Sequence, residues 1–291
     1  MRKTLQGSVA WLAMVVLTSL LCTGAAGAQD QTPQDSGSDN FPATQEIFRP
    51  PMADQTEPAD RVRYGGSELD FGLALPLQVY TSVGSSSSWQ IGFIGGIAAG
   101  FASTKTTLQL KAADFHAGIP FAYRKGKWST RVQFYHISSH LGADYTGNIQ
   151  QPSFHYSREV LQDLVSYDFS KHFRIYGGPR LLVRTFPHVG RWAFQAGSEW
   201  FPEALASPRF HFYLADDFQT REEVAWQTNI SVEPGVQFTT HKGQPIARAE
   251  AWFYSGQEPF GQLYYLRERV IGAQFIFTLG PEIKSLITHK H

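Results

Sequence analysis

From Val224 to Thr240 apolar and polar residues take turns. Val224, Trp226, Ile230, Val232, Val236 and Phe238 share one parity; Gln227, Asn229, Ser231, Glu233 and Gln237 share the other. A period of two is the mark of a strand with two unlike faces. The run is also long enough to cross a bilayer as a tilted strand.

The pattern recurs. Phe173, Ile175, Leu181 and Val183 alternate with Arg174, Tyr176, Arg180 and Arg184. Trp192, Phe194, Ala196 and Trp200 alternate with Arg191, Gln195 and Glu199, and Ala247, Ala249, Ala251 and Phe253 with Arg248 and Glu250. Ile271, Ala273, Phe275, Phe277 and Leu279 stand against Gln274 and Thr278. The polar register repeatedly holds Arg and Glu in mid-strand. A soluble sandwich would turn such charges to water, and a membrane barrel would turn them into its lumen. The export signal, the number of long strands, and the Trp and Tyr near strand ends favour the membrane. The mixed sign of the inward charges predicts a salt-bridged, filled interior more than a wide pore.

Counting back from the C-terminus gives eleven strands: 264–279, 245–255, 223–241, 208–218, 190–201, 172–184, 154–169, 128–140, 106–124, 88–102 and 68–80. A closed bacterial barrel takes an even number, so about 12 are expected, the last between Phe48 and Gly66. The predicted fold is all-β: a closed, antiparallel, up-and-down transmembrane β-barrel. Tight turns at 125–127, 170–172 and 242–243 belong at the periplasmic end, and the long connection 141–152 faces outward.

The N-terminus reads as a signal peptide, 1–28: Arg2 and Lys3, an apolar run from Val9 to Leu21, then Ala26-Gly27-Ala28 before a mature start at Gln29. Residues 29–47 read as a disordered tether, 48–66 as a leader docking on the barrel or its periplasmic face, 67–280 as the barrel and 281–291 as a tail. The expected location is the outer membrane, with the barrel-assembly machinery as a partner during biogenesis. Cys22 is the one cysteine and leaves with the signal, so no disulfide and no thiolate chemistry are expected. Lys plus Arg and Asp plus Glu number 25 each, which gives no case for nucleic acid. Gly95-Gly96 and Gly177-Gly178 read as points of bend or close packing; no helix follows them to make a phosphate loop.

One segment has the residue types for chemistry. His136 and Ser138 share the parity of Val132 and Phe134, which places them on the outer wall near its top, side by side, as a base and a hydroxyl nucleophile would be. A hairpin centred near Asn148 brings Glu159 beside them to orient the imidazole; Asp163 and Asp144 are alternative acids. Ser139 or a backbone N–H near Gly142 would support the oxyanion. Arg267 and Arg269 face outward near the top of the last strand, where they bind lipid phosphates or simply decorate the interface. His136, His140 and Asp144 are metal-type residues at helical spacing on a strand, so no metal site is expected. No cofactor is implied.

The leader FRPPMADQTEP, YHISSHLGADY at 135–145, YSRE at 156–159 and YGG at 176–178 resemble domain-of-unknown-function family 1207 over nearly the whole mature chain. The resemblance implies an outer-membrane-type barrel and no particular activity. His136-Ile137-Ser138 followed by a later Glu also resembles the outer-membrane lipid A 3-O-deacylase. That resemblance implies His136 as base, Ser138 as nucleophile and Glu159 as orienter, acting on an acyl chain of lipid A or another outer-leaflet lipid. It departs from that family in having Ser139 where the family has Asn, and in a longer gap to the acid. The alternative is a non-catalytic structural, adhesive or narrow transport barrel.

Overall fold

The computed structural model describes residues 47–277, apart from 67, 85–86, 104–105, 144, 147–152, 206, 208 and 241–244. The expected signal peptide, most of the tether, the C-terminal tail and Asp144 lie outside the described residues.

Twelve strands form the wall: β1 (Asp60–Gly65), β2 (Glu68–Val83), β3 (Ser88–Ser103), β4 (Leu108–Lys125), β5 (Trp128–Leu141), β6 (Tyr156–Ser170), β7 (Phe173–Phe186), β8 (Trp192–Trp200), β9 (Phe210–Arg221), β10 (Gln227–Thr239), β11 (Pro245–Gln257) and β12 (Arg267–Phe277). Each pairs antiparallel with its sequence neighbours, and β1 closes on β12, Tyr64 opposite Ala273. β1 is the strand expected between Phe48 and Gly66. It is short. At its N-terminal end the Asp60 carboxylate accepts the Ala74 N–H at 2.8 Å, covering a β2 donor beyond the β1 pairing.

The two registers separate as the alternation predicts. Val132, Phe134, Leu161, Val165, Phe194, Phe253, Phe275 and Phe277 are exposed on the outer wall. Arg131, Gln133, Arg174, Gln195, Glu199, Ser231, Glu233, Glu250 and Gln274 are buried inside it. An apolar exterior around a polar interior is the reverse of a soluble protein and fits hydrocarbon outside. Trp128 and Tyr167, with ring centres 4.7 Å apart, mark the lower rim.

The leader does not rest on the outside or on the periplasmic face. Its part before β1 runs inside the lumen. Met52, Ala53, Asp54, Gln55 and Glu57 are buried. Glu57 takes both terminal nitrogens of Arg131 at 2.7 Å, and the Met52 N–H donates to Glu199 at 3.0 Å. Asp54 accepts from Gln195 at 2.8 Å and Gln219 at 2.9 Å. Gly96 makes room for it: a Cβ there would stand 3.1 Å from the Pro58 ring. The segment is held because groups of the wall such as Arg131, Gln195, Glu199 and Gln219 find partners in it, which offsets the cost of enclosing both.

The β11–β12 connection folds in as a roof. Phe260 and Leu263 are buried against Ala112. The Gly261 N–H donates to Asp114 at 2.8 Å, and the Gln262 N–H to the Ser139 hydroxyl at 3.0 Å. Between roof and leader lies a cavity of about 110 Å³. The expectation of a filled, salt-bridged lumen thus matches the described residues.

Candidate functional site on the outer wall

In the β5–β6 ladder His136 lies opposite Glu159, Ile137 opposite Arg158 and Ser138 opposite Ser157. Both histidine and glutamate face outward, side chains 44% and 26% exposed, with Nδ1 and Oε1 3.8 Å apart. That separation is an ion-pair contact, longer than a hydrogen bond. Ser138 is two residues along the same face, roughly 6–7 Å in Cα spacing. His136 is eight residues above Trp128; at a strand tilt near 40° that is roughly 20 Å above the lower rim, close to the upper edge of an apolar band about 25 Å tall.

The inner side of the same patch is packed. Tyr135, Val160 and Leu182 form a buried cluster with Ile137 and Val189 against it. Side chains on the outer face therefore stand on a wall that is filled behind them, which limits their movement.

A bulge adds one residue to the site. Glu159 pairs with Arg184, but Val160 pairs with Leu182, so Val183 is extra on β7. Alternation predicts Arg184 in the lumen with Arg174 and Arg180. The bulge instead leaves Val183 and Arg184 both on the outer wall. Arg184 is 82% exposed, its Nη1 3.9 Å from the same Glu159 Oε1 that faces His136.

Other expected residues fall elsewhere. Ser139 faces the lumen, buried, its hydroxyl accepting from the roof. Its parity is that of Arg131 and Gln133, so it cannot reach the outer face. The Gly142 N–H is already used, donating to the Lys111 carbonyl at 3.0 Å. Neither group reaches an oxyanion at Ser138 as placed. Asp163 faces outward too, but lies opposite Val132 and accepts from Thr130 at 2.9 Å, away from His136. Arg267 and Arg269 are exposed at the upper end of β12, with four strands between them and β5. His140 packs edge-on against Phe115, ring centres 6.0 Å apart. Among the described residues the one metal-type cluster is Glu68, Glu258 and Glu268, without either histidine. The Lys111 ammonium already bonds two of its members, at 2.5 Å and 2.6 Å.

Ser157 and Arg184 were missed by sequence reading. Ser157 was within reach of it: the hairpin that pairs 136 with 159 also pairs 138 with 157. Arg184 was not, because a bulge leaves no mark in a single alternating strand.

The DUF1207 profile, described as a protein of unknown function, matches residues 63–277. The chain belongs to the DUF1207 family. Among solved structures the barrel is similar to outer membrane phospholipase A from Escherichia coli, 13% identical over 72% of this chain and 78% of that one, with a TM-score of 0.50. It also matches LpxR from Salmonella typhimurium at 9% identity, 73% and 88% coverage and a TM-score of 0.37. The phospholipase likeness is one of fold: this DUF1207 member has the fold of an outer-membrane β-barrel. No curated protein matches the sequence.

Proposed function

We propose that this DUF1207 barrel is an outer-membrane serine esterase that removes an acyl chain from an outer-leaflet lipid, with lipid A the first candidate. One observation carries the reading: His136 and Glu159 face each other on the lipid side of the wall, near its top, with Ser138 on the same face. A bare carboxylate facing lipid is costly unless it lies at headgroup level or has a partner, and Glu159 has two. The phospholipase named above shares the fold and acts at a membrane; it supports the setting and supplies no residue roles here.

In this reading Ser138 Oγ attacks the ester carbonyl and His136 takes its proton through Nε2. Glu159, on the Nδ1 side, orients the ring and stabilises the imidazolium. The tetrahedral intermediate collapses to an acyl-serine, and His136 returns the proton to the departing alkoxide. Water, deprotonated by the same imidazole, then releases the fatty acid. The oxyanion needs a donor on the outer face, and Ser157, directly across from Ser138, is the hydroxyl in position for it. The chain's delivery fits the same picture: cleavage after Ala28, then insertion by the barrel-assembly machinery.

Mass spectrometry of lipids from cells carrying wild type or Ser138→Ala tests the assignment. Wild type should yield lipid short of one acyl chain and Ser138→Ala should not. Identical lipids from the two, with both barrels folded, would leave the structural or narrow-transport reading in its place.

A further inference from the structure

The bulge at Val183 gives Arg184 an unusual setting. Its side chain is 82% exposed on the outer wall, level with the His136–Glu159 pair. The ion pair at 3.9 Å is the one polar contact the guanidinium makes among the described residues, and it exceeds hydrogen-bond distance. Five planar N–H donors are thus presented where lipid headgroups lie. A guanidinium fits a phosphate through two parallel hydrogen bonds. The two ladder steps from His136 through Glu159 to Arg184 span roughly 10 Å, a distance that a lipid's phosphate and its neighbouring acyl ester can bridge.

We propose that Arg184 anchors the headgroup phosphate of the lipid whose ester lies over Ser138, so that the substrate class is a phosphate-bearing lipid. This rests on the esterase reading above for its consequence and on Arg184 alone for binding. The phosphate sits on the guanidinium from the outer side, while Glu159 stays on the inner side with His136. Without the bulge the guanidinium would point into the lumen, and this part of the outer wall would hold Glu159 without an arginine beside it.

Retention of added lipid on the full-length, detergent-solubilised Ser138→Ala protein, read by native mass spectrometry, tests binding apart from turnover. The probes are lipid A, phosphatidylglycerol and a chain-matched diacylglycerol. A phosphate-bearing probe should be retained at least tenfold better than diacylglycerol. Adding Arg184→Ala should abolish the difference, and Arg184→Lys should keep part of it; heat-modifiable migration on gels confirms folding. Lipid A against phosphatidylglycerol identifies which phosphate is bound. Equal retention of diacylglycerol, or undiminished retention by a folded Arg184→Ala variant, overturns the proposal. Retention that depends on Arg184, in a protein whose wild type cleaves none of the three, upholds the anchor and rejects the esterase.

Discussion

The carboxylate of Glu159 stands between His136 and Arg184, its Oε1 3.8 Å from the imidazole and 3.9 Å from the guanidinium. One acid thus serves a neutral or cationic ring on one side and a permanent cation on the other. The arrangement depends on three adjacent strands and on a one-residue bulge in the third.

Replacing Glu159 by Gln keeps the shape and removes the charge that orients His136. Lipid hydrolysis by Glu159→Gln should fall about 100-fold or more in kcat, with folding unchanged because the side chain faces outward. Turnover of detergent-dispersed lipid and heat-modifiable migration measure the two quantities.

Ser138 and Ser139 should separate cleanly. Ser138→Ala should abolish hydrolysis and leave stability untouched. Ser139→Ala removes the acceptor for the Gln262 N–H inside the barrel and should lower stability by about 1–2 kcal/mol, with the chemistry retained. Unfolding in urea with lipid bilayers present reports the first, and a lipid assay the second.

The leader should close the lumen. Glu57 forms a two-bond pair with Arg131 in the interior. Removing one partner of such a pair costs about 3–5 kcal/mol, since the other charge is left enclosed. Glu57→Ala should therefore raise single-channel conductance in planar bilayers above a closed or barely conducting wild type.

Acid should loosen the same segment, in a defined direction. Burial acts to raise the Asp54 carboxyl, but the Arg180 charge and hydrogen bonds from Thr56 and Gln195 outweigh it and hold the group below its ordinary 3.8. A depressed carboxylate stabilises the docked leader fully above the unfolded value and loses that contribution as pH falls through the folded one. Asp54 should thus contribute equally at pH 7 and pH 5; its contribution should begin to fall at about pH 4 and be lost as the pH drops through the lowered folded value. Protease access to the leader, compared between wild type and Asp54→Asn, checks this; convergence of the two at low pH is the expected result.

Much of this protein was written in the order of its residues. Alternation gives the outward and inward registers, eleven of the twelve strands of the wall and the outward placing of His136, Ser138 and Glu159, and the even number a closed barrel requires supplies the twelfth. It even turns Ser139 inward, against the role first expected of it. This works because a strand's side chains must alternate, whatever lies beside it. Tertiary structure decided the remainder. The leader's path through the lumen depends on polar and charged groups contributed by three strands, Arg131 on β5, Gln195 and Glu199 on β8 and Gln219 on β9. Arg184 reaches the outer wall because two strands of unequal local length must stay hydrogen-bonded, and the extra residue, Val183, reverses the parity that follows it. Period two is a property of one chain segment; a bulge is a property of two.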